Sequence, residues 1–139
     1  MFSFRTTSLA EQTDKALMNG PVGLFCTDSC WDASSGKYLW DLFRERRVLR
    51  RTFRPEGDHI PFDPDELSGL SAVVVEIQDT GSRYFPYTVD VLRLMNALKT
   101  VPEPPALYVV DHPNPAGRDV EGTIPVGLSD EWTPAVAHR

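Results

Sequence analysis

Basic side chains are in short supply: 14 Lys and Arg stand against 20 Asp and Glu, a net charge of -6 over 139 residues. A protein that binds nucleic acid by displacing phosphate counterions needs a basic face, so that class is set aside. Cysteine is scarce too. Cys26 and Cys30 are the two present, and their spacing is neither a CxxC redox pair nor half of a four-ligand zinc set, so both read as reduced structural thiols. No apolar run approaches the ~20 residues that span a bilayer, and Met1-Phe2-Ser3-Phe4-Arg5 lacks the apolar stretch of a signal peptide. The chain as written is expected in the cytoplasm, or outside it if a leader precedes this sequence. No GxGxxG follows the first strand, where Thr27-Asp28-Ser29-Cys30 stands, and GxxxxGK[ST] and GxSxG do not occur. Dinucleotide, P-loop and hydrolase-elbow readings fall with them.

What is present suffices for a folded domain. Hydrophobic residues make up 41% and charged residues 24% of the chain, and a chain of this length buries roughly 68% of its unfolded surface without disulfide or metal staples. Ser8 followed at three by Glu11 is a capping-box pattern and predicts a helix to Met18, stopped by Gly20-Pro21. Val22 to Thr27 predicts a buried strand. Leu39, Leu42 and Phe43 place an apolar stripe on a helix to Arg47, and Val48 to Phe53 predicts the next strand. Pro55 to Leu70 reads as a long loop. Ala72 to Ile77 is nearly continuous in apolar residues, as a strand buried on both faces requires. Pro86 opens a helix to Thr100, and Leu107 to Val110 predicts the last strand, after which no periodicity is visible. Strands alternating with helices imply an α/β fold, an open, mainly parallel sheet with flanking helices and right-handed crossovers. Residues 1–123 are assigned to this domain and 124–139 to a tail or continuation.

In open parallel sheets, ligands bind beyond the carboxyl ends of the strands. Asp28, Glu56, Asp79 and Asp111 follow successive predicted strands, with Glu121 ten residues further on. Each acid alone also suits a turn or helix cap. Their convergence on one edge is what carries a functional expectation, because gathered like charges need a cation, a substrate or a raised pKa. Paired carboxylates suit acid and base work on a glycosidic bond, and they equally suit Mg2+ or Ca2+. His59 and His112 could serve either, Arg83 and Tyr84 could orient a substrate, and Trp31 lies in a loop at the same edge.

Four blocks carry a family resemblance: Asn19-Gly20 with Val22-Gly23-Leu24, Phe53-Arg54-Pro55-Glu56-Gly57, Ile77-Gln78-Asp79-Thr80-Gly81-Ser82-Arg83-Tyr84, and Asp111-His112-Pro113-Asn114-Pro115 with Val120-Glu121-Gly122. They resemble the exo-β-N-acetylmuramidases of the NamZ type, formerly catalogued as a domain of unknown function. The third block is similar to the family's Ile-Gln-Asp-Val-Gly-x-Arg-Tyr signature and the fourth to its Asp-Arg-Pro-Asn-Pro and Val-Glu-Gly pair. The family's Phe-x-Pro-Glu-His-Gly appears here with its histidine displaced to His59, and His112 stands where the family has Arg.

The resemblance implies a Rossmann-like N-terminal domain, incomplete relative to the family, and release of N-acetylmuramic acid from the non-reducing ends of peptidoglycan fragments. It implies Glu56 and Glu121 as catalytic carboxylates. Substrate contacts are expected from Gln78, Asp79, Arg83, Tyr84, Asp111, Asn114 and His59. No cofactor and no metal belong to this reading. The expected partner is a peptidoglycan fragment or amino sugar, with a second copy or partner chain completing the cleft. The rival readings are a non-catalytic muropeptide-binding or interaction module and a divalent-metal hydrolase at the same acids.

Overall fold

A computed structural model describes residues 13, 20–55, 62–82, 85, 87–117, 119 and 122. Its elements run β1 (Val22–Cys26), β2 (Trp31–Asp32), β3 (Lys37–Tyr38), α1 (Leu39–Glu45), β4 (Leu49–Phe53), α2 (Pro64–Leu67), β5 (Ala72–Glu76), α3 (Tyr87–Leu98) and β6 (Ala106–Val109). The expected helix over 8–18 lies outside the described residues except for Thr13, which is helical and buried.

Four strands form one sheet in the order β4-β1-β5-β6, and every pairing is parallel. The fold is the expected Rossmann-like α/β arrangement. β1 and β5 are central and all ten of their residues are buried, the burial on both faces that a continuous apolar run signals. Because side chains alternate across a strand, Val22, Leu24, Cys26, Ala72 and Val74 meet Leu39 and Phe43 of α1 on one face. Phe25, Val73 and Val75 meet Phe53, Leu67, Leu94 and Leu98 on the other. The same alternation leaves Gly23 under Phe53 and Leu70, where a Cβ would come within 2.9 Å of the Phe53 ring. Glycine there is a packing requirement of the second core layer.

Three details depart from the sequence expectation. α1 ends at Glu45 instead of running through Arg47. Arg47 adopts φ +57, and the Arg47 and Val48 N–H groups close onto the carbonyls of Arg44 and Phe43 at 2.9 and 3.1 Å. This pair of bonds satisfies carbonyls that the helix end would leave open, with Arg in the left-handed position glycine usually takes. The long loop between β4 and β5 contains α2, a single turn whose start is set by Asp63, its Oδ1 accepting from the Asp65 N–H at 2.9 Å, with Pro64 following. The polar stretch after β1 holds an antiparallel ribbon, Trp31 opposite Tyr38 and Asp32 opposite Lys37.

Candidate functional site at the carboxyl rim

The parallel register brings the segments after β1, β5 and β6 to one edge of the sheet. Gln78 joins them. Its backbone N–H donates to Ser29 Oγ at 3.2 Å, across to the segment after β1. Its side-chain Nε2 donates to the Asp79 carbonyl at 2.9 Å and to the Pro113 carbonyl at 3.4 Å, across to the segment after β6. Asp79 organises the turn beyond: Oδ1 accepts from the Gly81 N–H at 2.8 Å and Oδ2 from Thr88 Oγ1 at 3.3 Å, in the first turn of α3. Gly81, at φ +77, is seated against the Asn114 side chain. Asn114 closes its own turn, with Oδ1 accepting from the Ala116 N–H at 3.0 Å. Of the residues expected to shape a pocket, Gln78, Asp79 and Asn114 are therefore drawn together by direct bonds and close contact. Asp111 lies exposed on the same segment as Asn114.

Glu56, His59, Arg83, Tyr84 and Glu121 lie outside the described residues. Asp28, an acid expected at this edge, is largely exposed and paired with Arg54 at 2.5 Å. Arg54 in turn lies over the Trp40 ring, 4.9 Å from its centroid, and Trp40 stacks on Tyr38 at 4.3 Å. The aromatic ladder continues to Trp31, 47% exposed. Asp28 thus serves the Arg54 pair, a local role of the kind its turn position allows. Among the described residues no three His, Cys, Asp or Glu side chains gather to hold a metal ion. No described helix is long and apolar enough to cross a membrane. A shallow cavity of about 190 Å3 is lined by Arg50, Arg51, Asp65, Glu66 and Ser68. It belongs to the flank between β4 and α2, not to the loops at the strand ends.

Sequence reasoning passed over Glu76. This carboxylate, the last residue of β5, is fully buried on the α1 face, opposite Cys26 in register. Its Oε1 lies 2.8 Å from His112 Nε2, while Oε2 has no hydrogen-bond partner. Burial pushes the Glu76 carboxyl above its ordinary value, against the opposing pull of the His112 hydrogen bond and charge. The signal was an acid inside the run Ala72-Val73-Val74-Val75-Glu76-Ile77. An unfolded carboxyl titrates near 4.5, so between that pH and the higher folded value the native state holds a proton the unfolded chain has released. Stability from this group is present below pH 4.5 and is lost as pH rises through the folded pKa. Urea midpoints should therefore fall across that interval in the wild type and less steeply in Glu76→Gln. Equal slopes would show that Glu76 titrates as it does when unfolded.

Residues 57–136 match the family described as exo-β-N-acetylmuramidase NamZ, N-terminal. The chain belongs to the NamZ family. The match contains the rim segments after β5 and β6 but not the one after β1 that carries Ser29. A crystal structure of a DUF1343 family protein from Bacteroides fragilis superposes with a TM-score of 0.68 at 25% sequence identity, covering 84% of this chain and 37% of that one. The chain thus spans little more than a third of that protein's length. No curated protein matches. Membership of the NamZ family agrees with the resemblance carried by the Ile77–Tyr84 and Asp111–Pro115 blocks.

Proposed function

We propose that this domain forms the sugar-facing rim of a peptidoglycan hydrolase of the exo-β-N-acetylmuramidase type, which releases N-acetylmuramic acid from the non-reducing ends of glycan fragments. The observation that carries the reading is the family match over residues 57–136, which takes in the loops after β5 and β6. Hydrolysis needs two carboxyl groups flanking the scissile bond, one protonating the leaving oxygen and one acting as base or nucleophile. Glu56 and Glu121 are assigned those roles. Gln78, Asp79, Asp111 and Asn114, together with His59, Arg83 and Tyr84, are assigned to holding the amino sugar. Asp79 and Asn114 spend acceptor atoms on their own loops, so their main contribution is to fix the rim's shape. Water must be excluded for full electrostatic effect, and a further domain or partner chain is assigned the opposite wall of the cleft.

The test is release of the chromophore from a chromogenic N-acetylmuramide by wild type and by Glu56→Gln, Glu121→Gln and the double variant. Turnover in the wild type with loss in each variant supports the enzyme. Calorimetric binding of N-acetylmuramic acid with turnover no better than the double variant would make the domain a binding module. Absence of both binding and turnover removes the sugar reading.

A further inference from the structure

Among the described residues, the buried cluster on the α1 face is built of apolar side chains and two thiols. Glu76 sits at 0% exposure at the end of β5, opposite Cys26 in register and on the side of the sheet that carries Leu24, Val74 and Cys26. An aliphatic side chain of similar size would fill the position without the desolvation cost, and one Glu76 oxygen goes without a partner. Packing therefore gives no reason for an acid at the end of the central strand. Its position relative to His112 does. The imidazole is 22% exposed and adjoins Pro113, whose carbonyl accepts from Gln78. One ring nitrogen, Nε2, points inward to Glu76 at 2.8 Å, which leaves Nδ1 as the ring atom available on the rim.

We propose that Glu76 and His112 form a proton-dependent contact for the carboxylate of an acidic sugar, with His112 touching the ligand through Nδ1 and Glu76 as its positioning residue. The ligand class rests on the muramidase reading, because N-acetylmuramic acid carries a lactyl carboxylate and N-acetylglucosamine has none. The pair holds one proton between an acid and a base. An anion at Nδ1 draws that proton onto the ring, so that Nδ1–H donates outward while ionised Glu76 compensates the charge behind it. Once the pair releases the proton, an approaching carboxylate meets a negative pair and is repelled. The surrounding titratable groups leave this logic intact. Cys26 and Cys30 face Glu76 from the β1 side; their mutual hydrogen bond raises the Cys26 thiol well above the usual thiol range and lowers the Cys30 thiol, while a charge on Glu76 opposes ionisation of both. Arg54 acts on Cys26. Asp79 is engaged by Gly81 and Thr88, and Asp111, the residue before His112, is exposed to solvent.

The experiment follows the His112 ring by NMR in the full chain at about pH 5.5 and about pH 8.5, one on each side of neutrality. The probes are D-lactate, N-acetylmuramic acid and N-acetylglucosamine; the two acids stay ionised throughout. Lactate and N-acetylmuramic acid should shift the ring resonances at the lower pH, with affinity at least about tenfold weaker at the higher pH. N-acetylglucosamine binding should be insensitive to pH. His112→Gln should abolish the difference between the two pH values, and His112→Arg, a permanent cation, should keep N-acetylmuramic acid binding at both. Glu76→Gln should weaken acid binding while His112 is retained. N-acetylmuramic acid bound equally at both pH values, or unaffected by His112→Gln, overturns the contact and leaves the muramidase reading standing. Lactate shifting the ring while N-acetylmuramic acid binds nowhere upholds the contact and removes that reading. Ring resonances unmoved by either acid overturn the contact outright.

Discussion

Replacing Phe25 with Ala is expected to lower the unfolding free energy by about 3–5 kcal/mol, the cost of emptying a buried aromatic site that cannot collapse. Phe25 lies at 0% exposure in the middle of the sheet, its ring edge-on to Phe62 at 5.4 Å. Phe53 packs on the same Phe62 ring at 5.6 Å. The backbone around the resulting space is fixed on both sides, because β1 bonds to β4 and to β5 along its length. Neighbours can therefore refill little of the void. Domains of this kind hold a total stability of about 5–15 kcal/mol, so the loss is a large share of what exists. At a urea dependence of about 2 kcal/mol per molar, the midpoint should fall by roughly 2 M. Val109→Ala is the matched control. Val109 lies on the edge strand β6 at 58% exposure, and its truncation should stay within about 0.5 kcal/mol. A Phe25→Ala midpoint within the range of that control would mean that the second core layer does not depend on its aromatic cluster.

The layers that Phe25 helps to hold were legible because their residues obey one rule along the chain. Val22 to Cys26 and Ala72 to Glu76 are buried on both faces, and such strands announce themselves as short apolar runs whatever they pack against. The α3 helix is legible for a related reason: Leu94 and Leu98 are four apart and both buried, one turn of an apolar stripe. The β2 and β3 ribbon has two residues per strand, too few for alternation to show. α2 did carry a readable start, Asp63 before Pro64, but a single turn has no room for periodicity. At the rim, Gln78, Asp79 and Asn114 were legible as motif members. Glu76 was not, because its partner lies 36 positions away and a carboxyl in an apolar strand makes physical sense only once His112 is beside it. Asp28 is the converse case, its local role being the one its turn position favours. A turn acid looks the same in sequence whether it faces a ligand or, as here, Arg54.

Besides the Gln78 bond to the Pro113 carbonyl, the two main loops of the rim meet where Gly81 packs against Asn114, and a paired substitution isolates that contact. Gly81 and Gly117 both adopt left-handed backbone conformations, φ +77 and +87. Alanine at either position carries the conformational cost of that region, about 1–2 kcal/mol. Nothing lies within 4 Å of a Cβ built at Gly117, so the cost there should stop at that figure. A Cβ at Gly81 would overlap the Asn114 amide, reaching within 2.7 Å of Nδ2. Asn114 has little freedom to retreat, since its Oδ1 and carbonyl accept from Ala116 and Gly117 at 3.0 Å each. Gly81→Ala should therefore cost about 1–3 kcal/mol beyond Gly117→Ala, the usual penalty for inserting a methyl group into filled space. The excess should vanish in the Asn114→Ala background, where the obstructing amide is gone, as a double-mutant cycle measures. The same cycle reports on function. If Gly81 matters by holding the loop after β5 against the loop after β6, its alanine variant should weaken N-acetylmuramic acid binding more than Gly117→Ala does. Equal stability losses in the two glycine variants, unchanged by Asn114→Ala, would mean that the Gly81–Asn114 contact does not constrain the loops and that the rim is held by the Gln78 bonds alone.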